Sequence, residues 1–180
     1  MKHISIILLA WMISFQAGKD LYVCKNANVT LFSTAPIEDI RAETSTGASV
    51  FNVATGELNY VIVISSFKFP KSLMQEHFNS DYMESDKYPR ATFRGKISEK
   101  VDVTKDGSYP VTATGELTVH NVTMSRTIPG TITVKNGAVS MKSEFMVKCA
   151  DHHIDIPKIV FHNIAESIKI TVVANYTPSK

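Results

Sequence analysis

The sequence predicts an all-β domain, an antiparallel barrel of about eight strands with one short amphipathic helix. Three observations lead there. Apolar and polar residues alternate with a period of two through most of residues 21–176. Turn residues interrupt the alternation at intervals, and Asn136-Gly137 is the strongest hairpin signal among them. The chain has 180 residues, 44% of them hydrophobic, which is enough for one domain with a real core. One-sided strands must close on something, because open edges pair with other chains. A two-sheet sandwich fits the same pattern, but this many strands in one chain favours closure into a barrel.

The elements follow in order. Residues 21–34 form a first strand region, ended by Pro36. Residues 39–45 and 48–54 read as short strands, and Ala54-Thr55-Gly56-Glu57 turns into a long strand over 57–69. Pro70 suits a helix start, and a helix is expected at about 71–80, with Leu73, Met74, His77 and Phe78 on one face. Beyond Pro89, Ala91, Phe93, Gly95 and Ile97 share one side of a strand. After the turn Lys105-Asp106-Gly107-Ser108, the inward set is Tyr109, Val111, Ala113, Gly115, Leu117 and Val119. A connection at His120-Asn121-Val122-Thr123 leads to Ile128, Gly130, Ile132 and Val134. Val139, Met141, Phe145, Val147 and Cys149 follow the Asn136-Gly137 turn. The last strand places Ile168, Ile170, Val172, Ala174 and Tyr176 together.

The first residues differ in kind. Met1-Lys2-His3, the apolar run Ile4 to Phe15 and the small residues after it describe a secretory signal peptide over 1–17. Phe15 is bulkier than an Ala-x-Ala cleavage site prefers. The run is shorter than the roughly 20 residues a membrane helix needs, which disfavours an uncleaved anchor. The expectation is a periplasmic or secreted domain over 18–180 with no stable membrane span. Its 19 basic and 17 acidic residues give a net charge of +2 without a basic stripe, so nucleic acid is not an expected partner.

Export permits a disulfide between Cys24 and Cys149. Strand phase argues against it: Cys149 shares the inward phase of Phe145 and Val147, whereas Cys24 lies opposite to Val29 and Leu31. Only a β-bulge would reset that phase. The bridge stays open at this point, with free thiols favoured. A lipid anchor at Cys24 is disfavoured by Val23 before it.

Small residues are unusually frequent on the inward phase: Ala91, Gly95, Ala113, Gly115 and Gly130. Each glycine alone can serve only to bend its strand. Together with large Met and Phe residues they point to unfilled interior space, in which an aliphatic or prenyl chain gains about 0.8 kcal/mol per buried methylene.

The run from Phe67-x-Phe69 through Met74-Gln75-Glu76-His77-Phe78-Asn79 and Tyr82-Met83-Glu84-Ser85-Asp86-Lys87-Tyr88-Pro89-Arg90-Ala91-Thr92-Phe93-Arg94-Gly95-Lys96-Ile97 resembles the YceI-like, polyisoprenoid-binding family. A second match is Gly115-Glu116-Leu117-Thr118-Val119-His120-Asn121-Val122-Thr123, with Asn121 where the family usually has Gly. A third is Phe145-x-Val147, Asp151, Ile154 and Pro157. The resemblance implies an extended, lipocalin-like antiparallel barrel enclosing a long isoprenoid, quinone-like, or another long-chain amphiphile. Motif and phase together select Phe67, Phe69, Met74, Phe78, Tyr82, Met83, Phe93 and Phe145 as ligand-binding residues. No catalytic residue carries over, so a non-catalytic binding or carrier protein is expected, with no cofactor beyond the bound isoprenoid or fatty-chain lipid. A homodimer stays open.

Other chemistry is weaker. His152-His153 with Asp151, Asp155 and His162 lacks a completing cluster for a metal. His77 beside Glu76, Glu84 and Asp86 would serve an enzyme acting on such a lipid, but no nucleophile motif or phosphate loop accompanies it. A barrel used only as an interaction or stress-related scaffold is the remaining alternative. The Asn-x-Thr sequons at Asn28, Asn121 and Asn175 arise easily in a threonine-rich β-sequence.

Overall fold

The computed structural model describes residues 20–34, 39–156 and 165–179. The expected leader over 1–17 lies outside them. Eight strands form a closed antiparallel barrel in which each pairs with the next and the last pairs with the first. They are β1 (Leu21–Ser33), β2 (Ile40–Asn52), β3 (Glu57–Val63), β4 (Arg90–Ile97), β5 (Gly107–Val119), β6 (Val122–Lys135), β7 (Ala138–Lys148) and β8 (Ser167–Pro178). Between β3 and β4 lie a 3-10 turn (Ile64–Ser66), a short helix α1 (Ser72–His77) and a wide π-type turn over Phe78–Tyr82. The barrel is as expected, as is the one short α-helix among the described residues, and the sandwich is excluded.

Where expectation and structure differ, phase shifts explain it. β2 is one strand rather than two: its buried set runs Ala42, Thr44, then Gly47, Ser49, Phe51, slipping by one residue at Thr46. β1 slips in step, with register shifts on both sides of Ala27. Tyr22 and Cys24 therefore face inward together with Ala27 and Val29. The bulge turns Cys24 into the core, against the phase drawn from the sequence. Gly47 is needed at the slip, since a Cβ there would lie 3.1 Å from the Ala27 carbonyl oxygen and 3.2 Å from its Cβ. Cys24 and Cys149 are both buried, free thiols.

The expected strand over 57–69 stops at Val63. There the Ser66 hydroxyl donates to the Val63 carbonyl, 2.6 Å away, and meets Thr44 Oγ1 at 2.8 Å. The chain then returns as a single bridge, Lys68 opposite Glu43, which turns Phe67 inward. Asn136 (φ 50°) and Gly137 (φ 78°) form the expected tight hairpin. Asn121 (φ 60°) beside His120 (φ 50°) forms a second one, so Asn supplies the left-handed conformation at the position where glycine was expected.

The interior is divided along the barrel axis. At the end carrying the Asn136-Gly137 hairpin, the buried side chains of Phe51, Ile132, Val134, Val139 and Tyr176 fill the space. Towards the α1 end the barrel is hollow.

Candidate functional site

The hollow half is a cavity of about 410 Å³. β3 supplies Leu58, Tyr60 and Ile62 to its wall, and β5 supplies Val111, Ala113, Leu117 and Val119. β7 adds Met141, Phe145 and Val147, and β8 adds Ile168, Ile170 and Val172. These are alternate residues, as inward-facing strand positions must be. The segment between β3 and β4 closes the upper end. Phe78 packs against Phe67 edge-on at 5.8 Å between ring centroids and against Phe69 at 4.9 Å. The three rings tie the turn after α1 to the barrel wall. Leu73 stays 62% exposed while bordering the cavity, which marks the helix as the mouth.

All eight positions selected from the sequence (Phe67, Phe69, Met74, Phe78, Tyr82, Met83, Phe93 and Phe145) border this single cavity. The sequence reading passed over Leu58, Tyr60 and Ile62, although their alternation with Glu57, Asn59 and Val61 carried the signal. Ile154 and Ile156, beyond β7, had no periodicity to reveal them.

Two of the inward glycines, Gly95 and Gly115, did not play the expected part. Gly95 and Gly115 face each other across β4 and β5. A Cβ on Gly95 would lie 2.6 Å from the Phe93 ring and 2.8 Å from the Thr114 carbonyl oxygen, and one on Gly115 would collide with the Arg94 carbonyl and the Gly95 Cα. They allow close strand approach rather than leaving space. Ala91, Ala113 and Gly130 do border the cavity.

Polar groups are few here. His77, which borders the cavity at its mouth, pairs through Nδ1 with Asp81 Oδ2 at 2.8 Å, both side chains about half exposed. Burial raises the pKa of the Tyr82 phenol, and the neighbouring Asp81 charge raises it further. Burial likewise pushes the Cys149 thiol up, which keeps it protonated and unreactive. Deeper, three hydroxyls meet: Tyr176 lies 2.7 Å from Ser49 Oγ and 2.8 Å from the Tyr60 hydroxyl.

A polar clasp lies behind the turn. His120 Nε2 is 3.0 Å from Glu84 Oε2, its Nδ1 is 3.3 Å from the His152 carbonyl oxygen, and the Tyr88 ring meets it edge-on at 4.5 Å. His152 is fully buried with Nδ1 3.0 Å from the Val122 carbonyl. Burial lowers its pKa, so it is neutral near pH 7. His153 next to it is exposed, and His162 lies outside the described residues. Among the described residues no three His, Cys, Asp or Glu side chains cluster as metal ligands.

The model of the YceI-like domain matches residues 24–176. The chain belongs to the YceI-like family. No curated protein sequence matches it. Its fold is similar to that of a polyisoprenoid binding domain from Saccharophagus degradans implicated in plant cell wall breakdown (TM-score 0.74, 14% identity, 87% of this chain and 98% of that one). Burkholderia cenocepacia BcnA is similar (TM-score 0.71, 16% identity, 84% and 96% covered), as is the Campylobacter jejuni YceI protein (TM-score 0.62, 20% identity, 82% and 89%). Among the described residues of the present chain, no helix is long and apolar enough to cross a membrane.

Proposed function

We propose that this YceI-like barrel is an exported, non-catalytic carrier that holds a polyisoprenoid, quinone-like or other long-chain lipid in its hollow half. The observation that carries the reading is the cavity itself: about 410 Å³, walled by aliphatic and aromatic side chains. Ligand pockets commonly measure about 300–1,000 Å³. An apolar chain entering this space is held by burial, about 0.8 kcal/mol per methylene, without any need for directed contacts. The fold shared with the polyisoprenoid binding domain of Saccharophagus degradans supports that ligand class. Export rests on the basic and apolar pattern of residues 1–17.

The wall is mainly aliphatic and aromatic, which suits burial of a chain, and the histidine that borders it, His77, sits half exposed at the rim in a pair with Asp81. Protein purified from its own host, extracted with organic solvent and analysed by mass spectrometry, should release a long apolar chain in near-stoichiometric amount. A clean apo mass in native spectra, together with no uptake of an added prenyl lipid, would overturn the proposal.

A further inference from the structure

The hydroxyls of Ser49, Tyr60 and Tyr176 join β2, β3 and β8 where the packed half of the barrel meets the hollow half. Tyr176 and Ser49 are buried, and Tyr60 borders the cavity. Three hydroxyls carry three protons. The two oxygen–oxygen contacts, 2.7 and 2.8 Å, consume two of them. The third leads out from Tyr60, whose O–H donates to the Met141 sulfur at 3.6 Å. A thioether is a weak acceptor. Burying a hydroxyl whose proton finds no oxygen is costly, and phenylalanine at this position would fill the same wall without that cost. Met141 also borders the cavity, so both residues of the O–H···S contact line the space a ligand would occupy.

We infer that the cavity floor is a hydrogen-bond donor site, in which the Tyr60 hydroxyl leaves the Met141 sulfur and donates to a carbonyl oxygen at the leading end of the bound chain. The inference rests on the lipid-carrier reading and narrows it: of the chains named there it selects one headed by a ketone or quinone-type carbonyl, and it assigns an orientation, head first. Tyr176 and Ser49 act as positioning residues. With Tyr176 donating to the Tyr60 oxygen, the Tyr60 proton is directed away from the network and into the cavity. Burial also raises the pKa of both phenols, so each stays a protonated donor throughout the physiological range.

The test compares farnesylacetone with the hydrocarbon in which its carbonyl is replaced by a methylene, both delivered from cyclodextrin to the delipidated full chain. The ketone should bind about tenfold more tightly than the hydrocarbon, the worth of one neutral hydrogen bond. Its carbonyl stretch should move to lower wavenumber on binding. In Tyr60→Phe the affinity ratio should fall to about one and the shift should vanish. Met141→Leu, which removes only the competing acceptor, should keep the preference. Equal affinities in the wild type, or a preference surviving in folded Tyr60→Phe, overturns the inference and leaves the carrier reading standing. Binding of neither compound overturns the carrier reading itself.

Discussion

Filling the cavity should abolish binding without unfolding the barrel, and Ala113→Phe is the substitution that tests this. Ala113 sits on β5 between Ile97 and Ile128 of the neighbouring strands, is 7% exposed, and borders the hollow half. A phenyl ring placed there points into about 410 Å³ of open space. Burying an aromatic side chain removes about 150–250 Å² from water, which at about 25 cal/mol per Å² gives about 4–6 kcal/mol. Much of that gain is offset: unfolded chains already bury roughly 10–40% of such area, overpacking costs about 1–3 kcal/mol where neighbours must shift, and side-chain ordering takes roughly 1 kcal/mol more. The net expectation is a stability between unchanged and about 2 kcal/mol higher in the ligand-free protein, read from urea unfolding midpoints at constant slope. Affinity for a fluorescent fatty-chain probe should fall at least tenfold. A loss of more than about 2 kcal/mol, the cost of overpacking a filled core, with probe binding intact would mean that the space above Ala113 is not where the chain lies.

Gly115→Ala should destabilise the barrel by about 1–3 kcal/mol in urea melts, because its Cβ would meet strand backbone that cannot swing aside; a change within experimental error would remove Gly115 from the strand-crossing argument. The clasp predicts a pH effect: hydrogen bonding from His120, with Lys87 nearby, holds the Glu84 carboxyl below its ordinary range. A depressed carboxylate contributes its stability above the unfolded pKa of about 4.3 and loses it as pH falls through the folded value. Amide exchange over residues 78–88 should therefore quicken below about pH 4 relative to the β5–β6 strands, and Glu84→Gln should remove the difference. Cys24 and Cys149 should both resist a thiol reagent in the folded protein and both react in denaturant without prior reduction; one reactive thiol or none after unfolding would contradict two free, buried cysteines.

Much of this molecule was legible in the sequence because inward strand positions repeat every two residues. That repeat yielded the barrel, the β6–β7 hairpin and the wall of β5, β7 and β8. It failed where an extra residue shifts the register without ending the strand. The slip at Thr46 made β2 look like two strands, and its partner slip near Ala27 hid the inward turn of Cys24. Small size was also ambiguous: alanine at 113 and glycine at 115 read alike, yet one borders open space while the other lets two backbones approach. Ser49 and Tyr60 are opposite residues of the β2–β3 pair, but Tyr176 comes from β8, and no local pattern announces its meeting with them.

The division of the barrel into a packed and an empty half makes it a depth gauge. Phe51, Ile132 and Tyr176 fill the far end, so under the proposed carrier role the number of carbons sheltered would be set by the protein and not by the length of the guest. Under that role any excess length would emerge beside the exposed Leu73 at the rim, and the guest would leave by the way it entered with every strand still paired.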